Sequence, residues 1–427
     1  MGTLATPHAA APDAAQQPSP EAPANPTPAT TGSDALLGTY KRAPMRLVRG
    51  EGVRLYDEAG TAYLDLASGI AVNALGYGDP GLMNAIREGT ESGIIHASNL
   101  FRTAPGEELA RWLVSHSFAE KAFFCNSGAE ANEGAFKFAR RWARSLAPDG
   151  PESDAAASKH EIIAMRGSFH GRTMGVLAAT DRPAYRAPFR PLAGGVAIVE
   201  REVRALDTVI SAESTAAVIV EPVQGESGIR VVDHGLLREL RAMTAERRVA
   251  LIFDEIQCGL GRLGTLFAYE TTGVVPDMVT LAKPLAGGLP MGAILVNGPI
   301  ASAIKPGDHG TTFGGGPLVS HVANYVLDRI AEPTLLAHVR ETGAWFGEQL
   351  RALMARTGKI RAVRGAGLMW GADTHEPASR LVDRARDAGL LLVTAGEHTL
   401  RFLPPLVISR DDLAQGLEIL EGVLVAA

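Results

Sequence analysis

Seven short apolar runs constrain this chain more than any other feature: residues 122–125, 162–165, 195–199, 217–220, 250–253, 278–282 and 293–296. Runs of four or five residues with no alternation suit strands buried on both faces. Most are separated by helix-length stretches, and that alternation produces a mainly parallel sheet covered by helices on either side. Ligands on such sheets sit beyond the carboxyl ends of the strands. The residues just past each run are therefore the ones to read for chemistry.

With 427 residues, 46% of them hydrophobic and 21% charged, the chain can bury a large core and form two or three domains. A net charge of −6 offers no broad basic field for nucleic acid. No apolar run approaches the roughly 18 residues of a membrane span. The expectation is a soluble, cytoplasmic protein with neither a nucleic-acid nor a membrane partner. The two cysteines, Cys125 and Cys258, cannot build a disulfide framework and read as reduced, buried thiols. No H-E-x-x-H or Cys/His cluster occurs, so no metal site is expected.

Residues 1–36 are dominated by small and polar side chains and lack Lys and Arg. Such a segment buries too little surface to offset its ordering entropy, and reads as a disordered tail that is neither a transit peptide nor a signal sequence. Its first six residues fit the loose myristoylation pattern, which a short chance match also explains. Residues 37–76 read as a hairpin-rich entry, with strands near 47–52 and 53–57. Beyond the last run, a helical stretch over 318–356 leads to a strand at 367–371, a helix around Leu381, strands at 390–393 and 399–403, and a final helix capped by Ser409 with Asp412 completing a capping box. This C-terminal part reads as a smaller α/β domain.

Two runs end in a matched pair of ionisable groups. Asp254 closes Val249-Ala250-Leu251-Ile252-Phe253-Asp254, and Lys283 follows Met278-Val279-Thr280-Leu281-Ala282. Pyridoxal phosphate needs an amine with which to form a Schiff base, and a carboxylate that keeps its pyridine nitrogen protonated. Asp254 and Lys283 can supply both. Asn126-Ser127-Gly128-Ala129-Glu130-Ala131-Asn132-Glu133 joins a run to a helix with apolar positions at Ala131, Ala135, Phe138 and Trp142. Small residues at its start leave backbone N–H groups open to an anion, although an ordinary capped helix looks the same.

In Gly167-Ser168-Phe169-His170-Gly171-Arg172-Thr173, the aromatic ring can stack on a planar cofactor and Arg172 can bind a carboxylate. A core phenylalanine and a surface arginine are the plainer readings. Glu221 and Glu226 follow the run at 217–220, and each, if buried, needs a cation or donor; Arg401 is a candidate partner. Gly259-Leu260-Gly261-Arg262-Leu263-Gly264 satisfies G-x-G-x-x-G, yet no helix leading to a second strand with a ribose-binding acid follows, so a loop is expected. Gly310-Thr311-Thr312-Phe313-Gly314-Gly315-Gly316-Pro317 is either a linker or a further source of donors for phosphate.

In this order, Asn-Ser-Gly-Ala-Glu-Ala-Asn-Glu, Phe-His-Gly-Arg-Thr, Glu-Pro-Val-Gln-Gly-Glu, Phe-Asp-Glu-Ile-Gln, Ala-Lys-Pro-Leu-Ala-Gly-Gly and His-Gly-Thr-Thr-Phe-Gly-Gly strongly resemble class III aminotransferases from about residue 37 to the C-terminus. The resemblance implies fold type I, like aspartate aminotransferase, with a mainly parallel seven-stranded sheet in a large domain and a smaller C-terminal α/β domain. The implied boundaries are 37–85 for a segment packing with the small domain, 86–315 for the cofactor-binding domain and 316–427 for the small domain. It also implies a homodimer with pyridoxal 5′-phosphate in active sites at the interface.

Carried over by resemblance, Lys283 binds the cofactor and then moves protons, while Asp254 holds the pyridinium proton. Gln257 bonds the ring hydroxyl, Phe169 stacks on the ring, and Glu221 lies in the cofactor site. Ser127, Gly128 and Ala129 hold the phosphate, with Thr312 arriving from the second subunit. Arg172, Glu226, Thr311 and Arg401 serve the substrates, Glu226 pairing with Arg401 in one half-reaction and releasing it for 2-oxoglutarate in the other. The stretch around Ile70 and the segment His96-Ala97-Ser98-Asn99-Leu100-Phe101 narrow the likeness to enzymes acting on N-acylated diamino acids such as N2-acetyl-L-ornithine. Relatives that take free ornithine or another ω-amino acid, and aminomutases on the same fold, are the alternatives.

Overall fold

A computed structural model describes residues 35–148, 150–151, 153–154 and 158–426. The expected tail and the pattern at its first six residues lie outside these, apart from Ala35 and Leu36. The chain divides into two units, Met1–Met45 and Arg46–Ala427. In the first, the described residues hold no helix or strand.

The second unit opens on β1 (Leu47–Glu51), β2 (Arg54–Asp57) and β3 (Ala62–Asp65), an antiparallel meander that includes the expected hairpin. The seven apolar runs then become the seven strands of the central sheet. Before the hairpin β8 (Val223–Gln224) and β9 (Arg230–Val231) come β4 (Lys121–Cys125), β5 (Glu161–Met165), β6 (Val196–Val199) and β7 (Thr215–Val220). After it come β10 (Ala250–Asp254), β11 (Met278–Leu281) and β12 (Gly292–Val296). The order across the sheet is β4-β12-β11-β10-β7-β5-β6. Only β12 runs against its neighbours. Strands β7, β10, β11 and β12 are buried along their whole length, as their unbroken apolar sequences demand.

The parallel register sets Asp254 beside Thr280 and Phe253 beside Val220. The carboxyl ends of β4, β5, β7, β10 and β11 consequently open on one side of the sheet. The helix Gly128–Ser145 that leaves β4 buries Ala131, Ala135 and Phe138 against the sheet and leaves Trp142 half-exposed.

Past β12 the chain departs from expectation in several places. The helical stretch over 318–356 is two helices, Pro317–Ile330 and Pro333–Thr357. Pro333 disfavours helical geometry at Glu332 and removes a backbone donor, so the helix restarts there. A strand unseen in the sequence, β13 (Ile360–Ala366), pairs with β14 (Met369–Thr374). Gly367, at φ +52, and Leu368 turn the corner, so the strand expected to start at 367 starts at 369. The run at 390–393 is shared between two sheets. Its β15 (Leu390–Leu391) extends the N-terminal meander beside β3, while β16 (Val393–Thr394) pairs with β17 (Thr399–Phe402).

The last helix, Arg410–Val425, is capped by Ser409, whose Oγ accepts from the Asp412 N–H at 3.0 Å. The capping box is not reciprocal. The Asp412 carboxylate accepts from the Ser409 hydroxyl at 2.6 Å and pairs with Arg54 at 2.9 Å. Among the described residues no helix is long and apolar enough to cross a membrane, and no group of His, Cys, Asp and Glu could hold a metal ion. Both cysteines are free and buried, and burial pushes the Cys125 thiol up to about 12.

Candidate active site

A cavity of about 410 Å³ opens at the carboxyl ends of the central strands. Ser127, Gly128 and Ala129 line it from the end of β4, Phe169 and Arg172 from β5, Glu221 from β7, Asp254 and Gln257 from β10, and Lys283 from β11. Sequence-distant motifs thus meet because parallel strands deliver their ends to one edge. The glycine-rich stretch 259–264 forms turns followed by a single helical turn, Tyr269–Thr272, as expected of a loop.

Asp254 is 3% exposed, and three N–H groups converge on its carboxylate. Oδ2 accepts from Asn132 Nδ2 and from His170 Nδ1, each at 2.8 Å, and Oδ1 accepts from the Ile256 backbone at 3.1 Å. Asn132 is itself fully engaged, donating to the His170 carbonyl at 2.8 Å and accepting from Thr280 Oγ1 at 2.8 Å. The carboxylate is therefore aimed by a buried network that ties the helix Gly128–Ser145 to β10, β11 and the loop after β5. Asn132, His170 and Thr280 were given no role by the sequence.

Lys283 opens the one-turn helix Lys283–Ala286 directly after β11. Desolvation pulls its amine below the usual lysine range, and Arg401 adds to this, while Asp254, Glu226 and Glu221 oppose it. A lowered pKa puts more of the amine in the neutral, nucleophilic form near neutral pH.

The helix Gly128–Ser145 aims its amino end at the same cavity. Ser127 caps it, its Oγ accepting from the Glu130 N–H at 3.2 Å, while the N–H groups of Gly128 and Ala129 have no acceptor within the helix. A Cβ on Gly128 would come within 2.8 Å of Ile256, and one on Gly171, at φ +133, within 2.9 Å of Ala129. Both glycines are needed for the loops after β5 and β10 to close on the helix end. The fit to pyridoxal phosphate is good: open N–H groups for a phosphate, a buried carboxylate, an amine of lowered pKa and the half-exposed Phe169 ring share one cavity.

Glu221 is buried, and its pKa is pushed up to about 7, chiefly by desolvation and further by Asp254, with His170 opposing. It accepts from the Phe169 N–H at 2.8 Å, fixing the loop that carries the ring. Arg401, 3% exposed on β17, donates from Nη1 to Glu226 Oε1 at 2.6 Å and to Gln257 Oε1 at 3.3 Å. The pairing of Glu226 with Arg401 is thus present. Neither residue lines the Lys283 cavity; Gln257 stands between. Arg172 is exposed, its guanidinium 3.5 Å from the centre of the Tyr185 ring.

Thr311 reaches the helix end indirectly, its Oγ1 accepting from Asn126 Nδ2 at 3.2 Å. Thr312 is not brought to Lys283. Both threonines line a second cavity with His96, Asn99 and His309.

The family Aminotransferase class-III matches residues 38–424. The chain is 47% identical to the mitochondrial acetylornithine aminotransferase of Alnus glutinosa, over 92% of this chain and 86% of that one. It is 42% identical to a succinylornithine transaminase of Yersinia pseudotuberculosis, over 92% and 95% respectively. The N-acetylornithine aminotransferase structure from Stenotrophomonas maltophilia superposes with a TM-score of 0.78 at 38% identity, over 91% of this chain and 97% of that one. Family, fold and cavity agree: the chain belongs to the class III aminotransferases, which work with pyridoxal phosphate.

Proposed function

We propose that this enzyme moves the distal amine of N2-acetyl-L-ornithine, or a closely related N-acylated diamino acid, to 2-oxoglutarate, giving the semialdehyde and L-glutamate in arginine or lysine biosynthesis. The observation that carries the reading is the Glu226–Arg401 ion pair at 2.6 Å beside Gln257. Paired, it leaves Arg172 as the one arginine lining the cavity among the described residues, suited to the single carboxylate of the donor. Opened, it frees Arg401 for a second carboxylate, which a dicarboxylate acceptor needs. The names of the relatives support an N-acylated ornithine.

When bound, pyridoxal phosphate supplies an electron sink for the amine-bearing carbon. Asp254, held in place by Asn132 and His170, would keep the proton on the cofactor's ring nitrogen. Gln257 would bond the ring hydroxyl, Phe169 would stack on the ring, and Ser127, Gly128 and Ala129 would hold the phosphate. Lys283 Nζ would anchor the cofactor and, once substrate displaces it, would serve as the general acid and base.

A homodimer belongs to the same proposal, with Thr312 of a second copy completing the phosphate site. Leu100 and Phe101, 90% and 71% exposed, lie beside the Thr312 cavity and suit burial against a second copy. A division at residues 86–315 and 316–427 goes with it, as does a cytoplasmic setting, which the free, buried cysteines support.

The test mixes the cofactor-loaded protein with N2-acetyl-L-ornithine, without a keto acid, and follows the visible spectrum through one half-reaction. Loss of the lysine-bound band much faster than with ornithine or β-alanine is expected. Equal or slower loss with the acetylated donor overturns the substrate assignment, and a faster loss with N2-succinyl-L-ornithine moves it to that donor.

A further inference from the structure

A third cavity, a cleft of about 560 Å³, shares no lining residue with the Lys283 cavity. Six guanidinium groups converge on it: Arg166 just past β5, Arg182, Arg201 just past β6, Arg230 on β9, and Arg361 and Arg364 on β13. Among the described residues, three carboxylates, Asp181, Asp373 and Glu397, share its walls. Arg166 is held by Asp181 at 3.3 Å and by the neighbouring Glu200 at 2.9 Å, and Arg364 by both oxygens of Asp373 at 2.7 Å. Arg230 donates to the Ser227 carbonyl at 3.0 Å and Arg182 to that of Glu226.

Arg201 and Arg361 make neither hydrogen bond nor salt bridge with any described residue. Arg201 is half-buried, and its pKa is lowered first by desolvation and then by Arg230, with Glu200 opposing. A concave site that holds the partly desolvated Arg201 and the exposed Arg361 among four other guanidiniums concentrates positive potential. Its planar forks match the oxygens of carboxylates and phosphates better than point charges would.

We propose that this cleft binds a small multivalent anion bearing carboxylate or phosphate groups, with Arg201 and Arg361 as its primary contacts. The β8–β9 hairpin separates this anion from the catalytic cavity. That hairpin carries Glu226, which faces Arg401, while Arg182 and Arg364 hold its Glu226 and Gly228 carbonyls from the cleft side. The site does not depend on which amino donor the enzyme takes.

The experiment is calorimetric titration of the cofactor-loaded enzyme, at low ionic strength, with citrate and separately with inorganic phosphate. Saturable binding of one anion per chain is expected for at least one probe, and the tighter of the two identifies the ligand as polycarboxylate or phosphate. Combining Arg201→Ala with Arg361→Ala should weaken it at least tenfold, and the exposed Arg361→Ala alone at least threefold. Arg172→Ala should leave it unchanged. The proposal is overturned if neither probe saturates, if the Arg361→Ala enzyme binds as the parent does, or if Arg172→Ala abolishes binding, which would put the anion in the Lys283 cavity.

Discussion

At the scale of single residues, the site is a problem of aiming one carboxylate and one amine at the same ring. Lys283→Ala should abolish turnover while leaving a folded chain that retains the cofactor noncovalently and lacks the lysine-bound visible band. Spectra recorded after gel filtration check this, and measurable turnover would sink the assignment. Asp254 and Lys283 could be picked out in the sequence because each lies at the end of a run whose strand character is plain, whereas Gln257 was named only through the family resemblance and Phe169, read alone, looked like a core residue. Asn132 was not picked out, although it lies in a motif that was read. Its partners Asp254 and Thr280 are 122 and 148 residues away, and only the strand order brings them to the helix. The arginine cleft was invisible for the same reason: its six guanidiniums come from five separate segments.

At the scale of elements, unbroken apolar strands announce themselves and half-buried ones do not. All seven central strands could be read from composition, whereas β13 carries Arg361 and Arg364 and keeps only Ile360 fully buried, so it offers no clean run. The β4-β12-β11-β10-β7-β5-β6 order was likewise beyond reach, since apolar content says nothing about which strands cross over. The helix that begins at Gly128 depends on its cap. Ser127→Ala removes the acceptor for the Glu130 N–H and should cost about 1 kcal/mol of stability. A lower thermal midpoint in the cofactor-free protein checks it; an unchanged midpoint would mean that Glu130, which accepts from the Asn126 N–H at 2.6 Å, secures the turn alone.

At the scale of the whole molecule, the fold buries acids at a cost that depends on pH. Glu255 lies in the core next to Asp254, accepting from the N–H groups of Ala268 and Tyr269, and desolvation raises its pKa to about 8. The folded chain therefore holds a proton that the unfolded chain gives up from the ordinary carboxylate range upward. Its contribution is full below that range and is lost as pH rises to about 8, with a limiting slope of about 1.4 kcal/mol per pH unit. Thermal midpoints from pH 5 to 8 should fall more steeply in the parent than in Glu255→Gln, and parallel curves would refute the raised pKa. Lys283 lies in the connection between β11 and β12, adjacent strands locked with Leu281 opposite Ala293. The lysine thus follows the buried end of β11 after a single intervening residue. Lys283 therefore enters the cavity from the central sheet, whereas Arg401 reaches the Glu226 pair from β17, in a different sheet.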